Sequence, residues 1–145
     1  MKSFRYALAG ILHTLKTERN LRIHCSVAVL VLFFAWYGEV SARHVPILFV
    51  CIGSVLTAEL FNTAFERLCD LVHPEQHPAV KVIKDVSAGA VLVSAIASAT
   101  AGLWIFLSPA VLFTVLSKFS EAPYVPVILV VFTVFLFYFC KGKKK

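Results

Sequence analysis

The chain alternates between long apolar stretches and short polar segments. Four stretches contain no Asp, Glu, Lys or Arg: residues 23–38, 45–58, 86–117 and 122–140. A transmembrane α-helix needs about 20 predominantly apolar residues, so the pattern predicts an all-α membrane protein. Allowing for polar residues at helix ends, the expected transmembrane helices are about residues 23–38, 45–69 and 85–107, with a fourth, C-terminal span within residues 108–145.

The N-terminal segment has a different pattern. In residues 3–22 apolar side chains recur at helical spacing, and most of the basic side chains fall elsewhere. This pattern is typical of an amphipathic helix that lies on a membrane surface. We therefore predict a surface helix ahead of the first span, and we expect that span to begin within the basic segment.

Composition and charge support the membrane assignment. Hydrophobic residues make up 59% of the 145 residues and charged residues 15%, whereas soluble domains average about 45–50% apolar and 25% charged. The net charge of +6 would suit nucleic acid in a soluble protein. In a membrane protein it is better explained by topology and by contact with anionic membrane lipids, so no nucleic-acid partner is expected.

Basic residues also predict an orientation. With the N-terminus in the cytoplasm and four spans, all 14 lysines and arginines except Arg43 and Lys118 fall on the cytoplasmic side. By the positive-inside rule, the N-terminus, the loop at residues 71–83 and the C-terminus are cytoplasmic.

A polar stripe interrupts the apolar pattern of the second span. Four residues recur at three- or four-residue spacing and share one helix face: Glu59, Asn62, Glu66 and Asp70. Ionisable groups in a membrane segment are costly and need cations, metals or a water-filled cleft. Most of the acidic residues fall in one layer at the cytoplasmic face, together with Lys84: Glu18, Glu59, Glu66, Asp70, Glu75 and Asp85.

The chemistry of this layer suits phosphate groups. Carboxylate and amide oxygens are ligands for Mg²⁺, which binds phosphates, and a lysine neutralises phosphate charge. Glu59 lies deeper, at the level of lipid head groups or lipid alcohols. The pattern therefore favours phosphoryl transfer from a soluble nucleotide to a lipid hydroxyl. Two alternatives are a small channel or transporter lined by the acidic stripe, and a stripe that only pairs with basic residues.

Three segments resemble the prokaryotic diacylglycerol kinase family of small integral-membrane lipid kinases. They are TERNLRIH at 17–24, AELFNTAFE at 58–66, and the HP, KD and GAVL elements within 77–92. The sequences of these segments are closest to those of the undecaprenol kinase branch of the family. The resemblance covers residues 3–107. It implies an ATP-dependent kinase of the bacterial inner membrane with its active site on the cytoplasmic side. The expected acceptor is undecaprenol, giving undecaprenyl phosphate, and the alternative is diacylglycerol, giving phosphatidic acid.

The resemblance also assigns roles to individual residues. Glu59 matches the catalytic base, which contacts the lipid hydroxyl, while Glu18 and Glu66 match the ligands of Mg²⁺. Eight residues match positions that contact ATP: Tyr6, Glu18, Glu66, Glu75, Gln76, His77, Lys84 and Asp85. Two further residues match supporting positions: Asn62 and Asp70.

The last expectations concern the lipid, the assembly and the domain limits. Small residues of the third span, Ala88 among them, leave room for a lipid chain beside the Glu59 face. The resemblance implies a homotrimer with sites shared between neighbours. Because the family's usual chain ends near residue 107, residues 1–107 are expected to form the kinase domain, with an added helix and a basic tail in residues 108–145.

Overall fold

The protein is described by a computed structural model that covers residues 2–73, 77–122 and 124–141. These residues form α-helices without any strand, so the all-α prediction is confirmed. The helices follow one another as α1 (Lys2–Thr17), α2 (Arg19–Tyr37), α3 (Val45–Val72), α4 (Pro78–Phe106), α5 (Pro109–Glu121) and α6 (Tyr124–Lys141).

Three of these helices, α2, α3 and α4, are long and apolar enough to cross a membrane. They contain 19, 28 and 29 residues. At about 1.5 Å per residue, α2 matches a hydrocarbon core of about 30 Å, whereas α3 and α4 are longer than this core. The three predicted membrane-crossing helices are therefore confirmed, and the surplus length of α3 and α4 carries polar residues outside the apolar layer.

The junction of α1 and α2 differs from the predicted one. The surface helix was expected to continue to Arg22, but α1 ends at Thr17 and α2 begins at Arg19. Glu18 between them has an extended backbone, with φ −99° and ψ 123°. The basic segment therefore forms the first turns of α2, as expected for a span that begins within it.

The start of α4 also differs, because this helix begins well before residue 85. Proline suits the first helical position, where no backbone N–H is needed, and Pro78 occupies it. The preceding His77 caps the helix, since its Nδ1 accepts a hydrogen bond of 3.2 Å from the backbone N–H of Ala79.

Helix α5 was not predicted. Ser108 and Pro109 follow the end of α4, and they also begin a new helix, with Ser108 in an extended conformation and Pro109 at the first position. Helices α2 and α4 end, and α3 begins, at the same end of the bundle. Helix α5 packs against this end, which is called here the α5 end. A cluster of buried apolar residues joins these elements: Ala35, Val40, Leu48, Ile105 and Val111.

Helices α3 and α4 pack as an antiparallel pair. The Ser98 hydroxyl donates to the Cys51 carbonyl at 3.2 Å, and the Ser94 hydroxyl donates to that of Ser54 at 3.1 Å. The far end of this pair, where α3 ends and α4 begins, lies on the side of α1 and is called here the α1 end.

Helix α6 runs back along α2 towards the α1 end. Its buried Cys140 has its Sγ 3.5 Å from the Ser26 hydroxyl near the start of α2. The apolar stretch of α6, Val127–Cys140, is shorter than the three membrane-crossing helices. The fourth span therefore stays a prediction.

Gly38 allows α5 to approach α2 closely, which gives a test of this packing. A Cβ at Gly38 would lie 2.9 Å from Val111 Cγ1 and 3.1 Å from Val115 Cγ2. We expect Gly38→Ala to destabilise the protein by about 1–3 kcal/mol, as overpacking commonly does. The purified protein is heated in detergent and then passed over a gel-filtration column. The measured quantity is the temperature at which the area of the monodisperse peak falls to half.

The matched control is Gly53→Ala, because a methyl group at Gly53 meets no atom within 4 Å. This variant should be as stable as the parent protein or slightly more stable, since alanine favours a helix over glycine. Equal melting temperatures for the two variants would contradict the close packing of α5 on α2.

Candidate functional site

Glu59 is the centre of the candidate site. Among the described residues it is the one Asp, Glu, Lys or Arg that is buried, with an exposed fraction of 2%. On the side of α2, the Asn20 side chain and the His24 imidazole both interact with its carboxylate. A buried carboxylate needs such partners, and here the first turns of α2 supply them.

Two further carboxylates approach Glu59. Glu18, at the break between α1 and α2, and Glu66, on the same face of α3, both interact electrostatically with it. Glu18 and Glu66 are partly exposed, whereas Glu59 is buried. These three side chains, called the acidic cluster, therefore present two accessible carboxylates in front of one buried carboxylate.

Asn62 connects the acidic cluster to α4. Its Nδ2 donates a hydrogen bond of 3.1 Å to Glu66 Oε1, and its Oδ1 accepts one of 2.7 Å from the Ser87 hydroxyl. Asn62 itself is buried, with 5% of its surface exposed. Because both ends of the amide are engaged, Asn62 fixes the orientation of the Glu66 carboxylate.

Arg67 connects the acidic cluster to α1. Its guanidinium lies 2.8 Å from Glu18 Oε1, 2.7 Å from the Thr17 hydroxyl and 2.7 Å from His13 Nε2. The Arg67 and Glu18 side chains are 46% and 30% exposed. A salt bridge so open to water contributes little to stability, so a cation or a phosphate can compete for either partner.

A second ion pair lies at the start of α4. Lys84 Nζ is 2.5 Å from Asp70 Oδ1, which joins α4 to the end of α3. Lys84 also interacts electrostatically with Glu66. One basic side chain therefore lies beside the exposed part of the acidic cluster, where it can neutralise a bound phosphate.

The other predicted ATP contacts are peripheral or lie outside the described residues. Tyr6 on α1 is 64% exposed, and Asp85 on α4 is exposed. His77 caps α4 and stacks on His73, with ring centroids 5.6 Å apart. Two predicted residues lie outside the described residues: Glu75 and Gln76.

The exposed carboxylates of the acidic cluster suit Mg²⁺. Such an ion is commonly held by one or two carboxylates, water molecules and substrate phosphates. Within residues 2–73, 77–122 and 124–141, no three His, Cys, Asp or Glu side chains form a ready-made metal site. As two partly exposed carboxylates, Glu18 and Glu66 fit an ion whose remaining ligands would be water molecules and the phosphates of a nucleotide.

An apolar groove leads to the acidic cluster. It has a volume of about 340 Å³ and lies between α2, α3 and α4. Its small lining residues on α4 are Ala95, Ser98, Ala99 and Gly102. Ala88, which was expected to adjoin a lipid chain, is exposed and is not one of the lining residues.

The groove ends at His24. On α3 its lining residues Val55 and Leu56 lie one turn before Glu59, and His24 on α2 both lines the groove and faces Glu59. Along α3 the groove extends from Leu48 to Leu56, about 12 Å at 1.5 Å per residue. The groove therefore spans less than half of a hydrocarbon core of about 30 Å.

Four residues of this arrangement were not predicted as site residues: Asn20, His24, Arg67 and Ser87. Asn20 and His24 belong to the TERNLRIH segment, and this was the available signal. Asn20 was missed because the surface helix was expected to continue through residue 22, whereas His24 fell within the predicted first span. Starting α2 at Arg19 places both side chains beside Glu59 instead.

The chain is similar to known lipid kinases. Residues 5–106 match the family model for prokaryotic diacylglycerol kinase. The undecaprenol kinase of Bacillus subtilis (strain 168) is 43% identical over 106 residues, which are 73% of this chain and 86% of that protein. The diacylglycerol kinase of Synechocystis sp. is 41% identical over 108 residues, which are 74% of this chain and 62% of that protein. No solved structure matches the chain significantly.

The matched region contains the whole of the described site. The acidic cluster, Asn62, Lys84 and the residues that line the groove all lie between residues 5 and 106. The resemblance found in the sequence motifs is thus confirmed over most of the chain. This protein belongs to the prokaryotic diacylglycerol kinase family and is a membrane lipid kinase.

Proposed function

We propose that this kinase transfers the γ-phosphoryl group of ATP to the hydroxyl of undecaprenol, giving undecaprenyl phosphate and ADP. The observation that carries the proposal is the apolar groove between α2, α3 and α4, which ends at His24 beside the buried Glu59. The similarity to the undecaprenol kinase of Bacillus subtilis supports the same acceptor.

The lining of the groove favours an acceptor with little polarity. A polyprenol is apolar apart from one hydroxyl, whereas diacylglycerol also carries two ester groups. In the groove, the Ser98 hydroxyl already donates to the Cys51 carbonyl, which leaves few donors for ester oxygens. Polar groups buried without partners reduce affinity. Diacylglycerol is the second candidate, because the relative from Synechocystis is named as its kinase.

Glu59 is proposed as the general base. A lipid hydroxyl at the His24 end of the groove can reach the Glu59 carboxylate, because the lining residues Val55 and Leu56 lie only one helical turn before Glu59 on α3. Glu59 accepts the hydroxyl proton while the lipid oxygen bonds to the γ-phosphorus and the bond to the leaving ADP oxygen breaks. Such transfers depend chiefly on positioning and charge stabilisation, and the burial of Glu59 on α3 keeps its carboxylate in place.

The exposed side of the acidic cluster is proposed to hold the nucleotide. Glu18 and Glu66 are the proposed ligands of Mg²⁺, which would supply positive charge to neutralise the phosphates of the nucleotide. Asn62 orients Glu66, and Lys84, released from Asp70, neutralises phosphate oxygens. The remaining proposed ATP contacts are Tyr6, Glu75, Gln76, His77 and Asp85.

We place the α1 end of the bundle at the cytoplasmic face of a bacterial inner membrane. Residues 1–107 form the proposed kinase domain, with α1 on the membrane surface and α6 as a fourth span. The return of α6 along α2, with Cys140 beside Ser26, supports a C-terminus on the same side as the N-terminus. The homotrimer with shared sites stays a prediction.

Acceptor preference tests the proposed function. We expect purified protein with labelled ATP and Mg²⁺ to phosphorylate undecaprenol with a higher kcat/KM than diacylglycerol, because the groove offers few partners for ester groups. Both lipids are compared in one detergent, at matched lipid-to-detergent ratios. Equal values would contradict the preference, and a higher value for diacylglycerol would favour the second candidate.

Substitution of the two glutamates of α3 should affect different steps, catalysis for Glu59 and nucleotide binding for Glu66. Glu59→Gln removes the proposed base and should lower kcat by about 100-fold or more, the usual worth of general acid–base catalysis. Nucleotide binding should persist, because Glu59 lies behind the exposed carboxylates. Glu66→Gln should weaken the binding of ATP with Mg²⁺, and added Mg²⁺ should restore part of the activity.

Calorimetry with a non-hydrolysable ATP analogue measures this difference. Gln in both variants keeps the size of the side chain, so each serves as the control for the other. Loss of nucleotide binding in Glu59→Gln with normal binding in Glu66→Gln would show that the two roles are reversed.

Orientation is tested with alkaline phosphatase, which is active only outside the cytoplasm. We expect a fusion after Lys145 to be inactive, because a basic tail follows α6. A matched fusion after Glu121, at the end of α5, should be active. Activity of the fusion after Lys145 would contradict the fourth span or the orientation.

A further inference from the structure

His24 occupies a position that neither the predicted catalytic residues nor the nucleotide contacts explain. It lies on α2 between the apolar groove, which it lines, and the buried Glu59, with which it interacts. Among the described residues that line the groove, only His24 and Cys51 have an ionisable side chain. The side chain is partly exposed, so a molecule in the groove can reach it.

We propose that His24 determines acceptor specificity by forming a hydrogen bond with the hydroxyl of a long-chain monohydric lipid alcohol. This bond holds the hydroxyl at the Glu59 end of the groove. The inference rests on the proposed function, and it adds a residue that selects a lipid whose polarity is confined to its reacting hydroxyl.

A polar contact at a fixed position is needed because the apolar walls of the groove do not fix where along the groove the lipid hydroxyl lies. Hydrophobic burial is non-directional and scales with the apolar area removed from water. A uniform hydrocarbon chain can therefore slide along walls such as Val31, Ile52 and Val55 with little change in energy. Reaction, in contrast, requires the hydroxyl to stay within about 2.6–3.2 Å of its base.

Most of the neighbouring polar groups are engaged elsewhere. The Asn20 side chain interacts with Glu59, and the Ser98 hydroxyl donates to the Cys51 carbonyl. Arg22, two residues before His24, directs its Nη1 to the carbonyls of Leu15 and Lys16, and its buried Nε has no partner among the described residues. His24 is thus the lining group best placed to fix a hydroxyl next to Glu59.

Diacylglycerol would depend less on this contact. Its two ester groups remain near the polar interface and provide other positions for hydrogen bonding to protein or water. Loss of the imidazole should therefore impair the reaction of a polyprenol more than that of diacylglycerol. The ratio of the two kcat/KM values separates this selective role from a general role in folding or in holding Glu59.

The experiment compares His24→Leu and His24→Gln with the parent protein on undecaprenol and diacylglycerol. We expect His24→Leu to lower the undecaprenol-to-diacylglycerol ratio by about tenfold, the effect of losing one hydrogen bond. Most of this loss should fall on kcat for undecaprenol, because the chain still fills the groove. His24→Gln, which keeps a hydrogen-bonding amide, should restore part of the ratio.

A control variant and a binding measurement complete the test. Val29→Ala alters an exposed residue of α2 that does not line the groove, and it should leave the ratio unchanged. Binding of a non-hydrolysable ATP analogue should be the same in all variants. If His24→Leu does not fold, His24→Asn replaces it, since its shorter amide does not reach as far as that of Gln.

Three outcomes would overturn the inference. An equal loss on both lipids would assign His24 to Glu59 or to folding, and unchanged kcat/KM values for both lipids would exclude any role in the reaction. A parent protein that phosphorylates diacylglycerol better than undecaprenol would contradict both the proposed acceptor and the role of His24. If the parent protein prefers undecaprenol but the ratio is unaffected in His24→Leu, the proposed function stands and this inference fails.

Discussion

The burial of the Glu59 carboxylate is the constraint on which the rest of the structure depends. A charged group inside a membrane helix costs several kcal/mol even on lenient scales, and breaking a buried charge pair leaves that cost uncompensated. Helix α1 ends at Thr17 and α2 begins at Arg19. Asn20 and His24 therefore lie on the first turns of α2, from which they interact with the Glu59 carboxylate and offset the cost of its burial. The irregular backbone at Glu18 is thus part of the site.

The two ends of the bundle serve different purposes. At the α5 end, apolar side chains of α2, α3, α4 and α5 pack around Leu48, and Gly38 lets α5 approach closely. At the α1 end, polar side chains form accessible pairs such as Arg67 with Glu18 and Lys84 with Asp70. A packed end that anchors the helices and an end with solvent-accessible ion pairs suit a lipid kinase, whose phosphoryl donor and lipid must both enter the site.

Helical periodicity and apolar length were sufficient to predict the three membrane-crossing helices and the acidic face of α3. The spacing of Glu59, Asn62 and Glu66 places them on one face of any α-helix, and the structure brings these residues together. These features depend on the spacing of apolar and acidic residues along the chain, which can be determined from a single sequence.

The features that were missed depend on tertiary contacts or on ambiguous signals. Neither glycine nor proline marks the break at Glu18, so nothing in the local pattern separates α1 from α2. Ser108 and Pro109 are compatible both with the end of one helix and with the start of another. The start of α5 at these residues was therefore not predicted. Asn20 and His24 acquire their position from the packing of α2 on α3, which no spacing within α2 predicts.

The roles of the groove and of Glu59 are tested most directly by a cryo-electron microscopy structure in lipid nanodiscs with Mg²⁺, a non-hydrolysable ATP analogue and a polyprenol. We expect the polyprenol chain in the groove between α2, α3 and α4, with its hydroxyl about 2.6–3.2 Å from the Glu59 carboxylate and Mg²⁺ on Glu18 and Glu66. A lipid chain bound elsewhere, or Mg²⁺ held by Glu59, would contradict these roles.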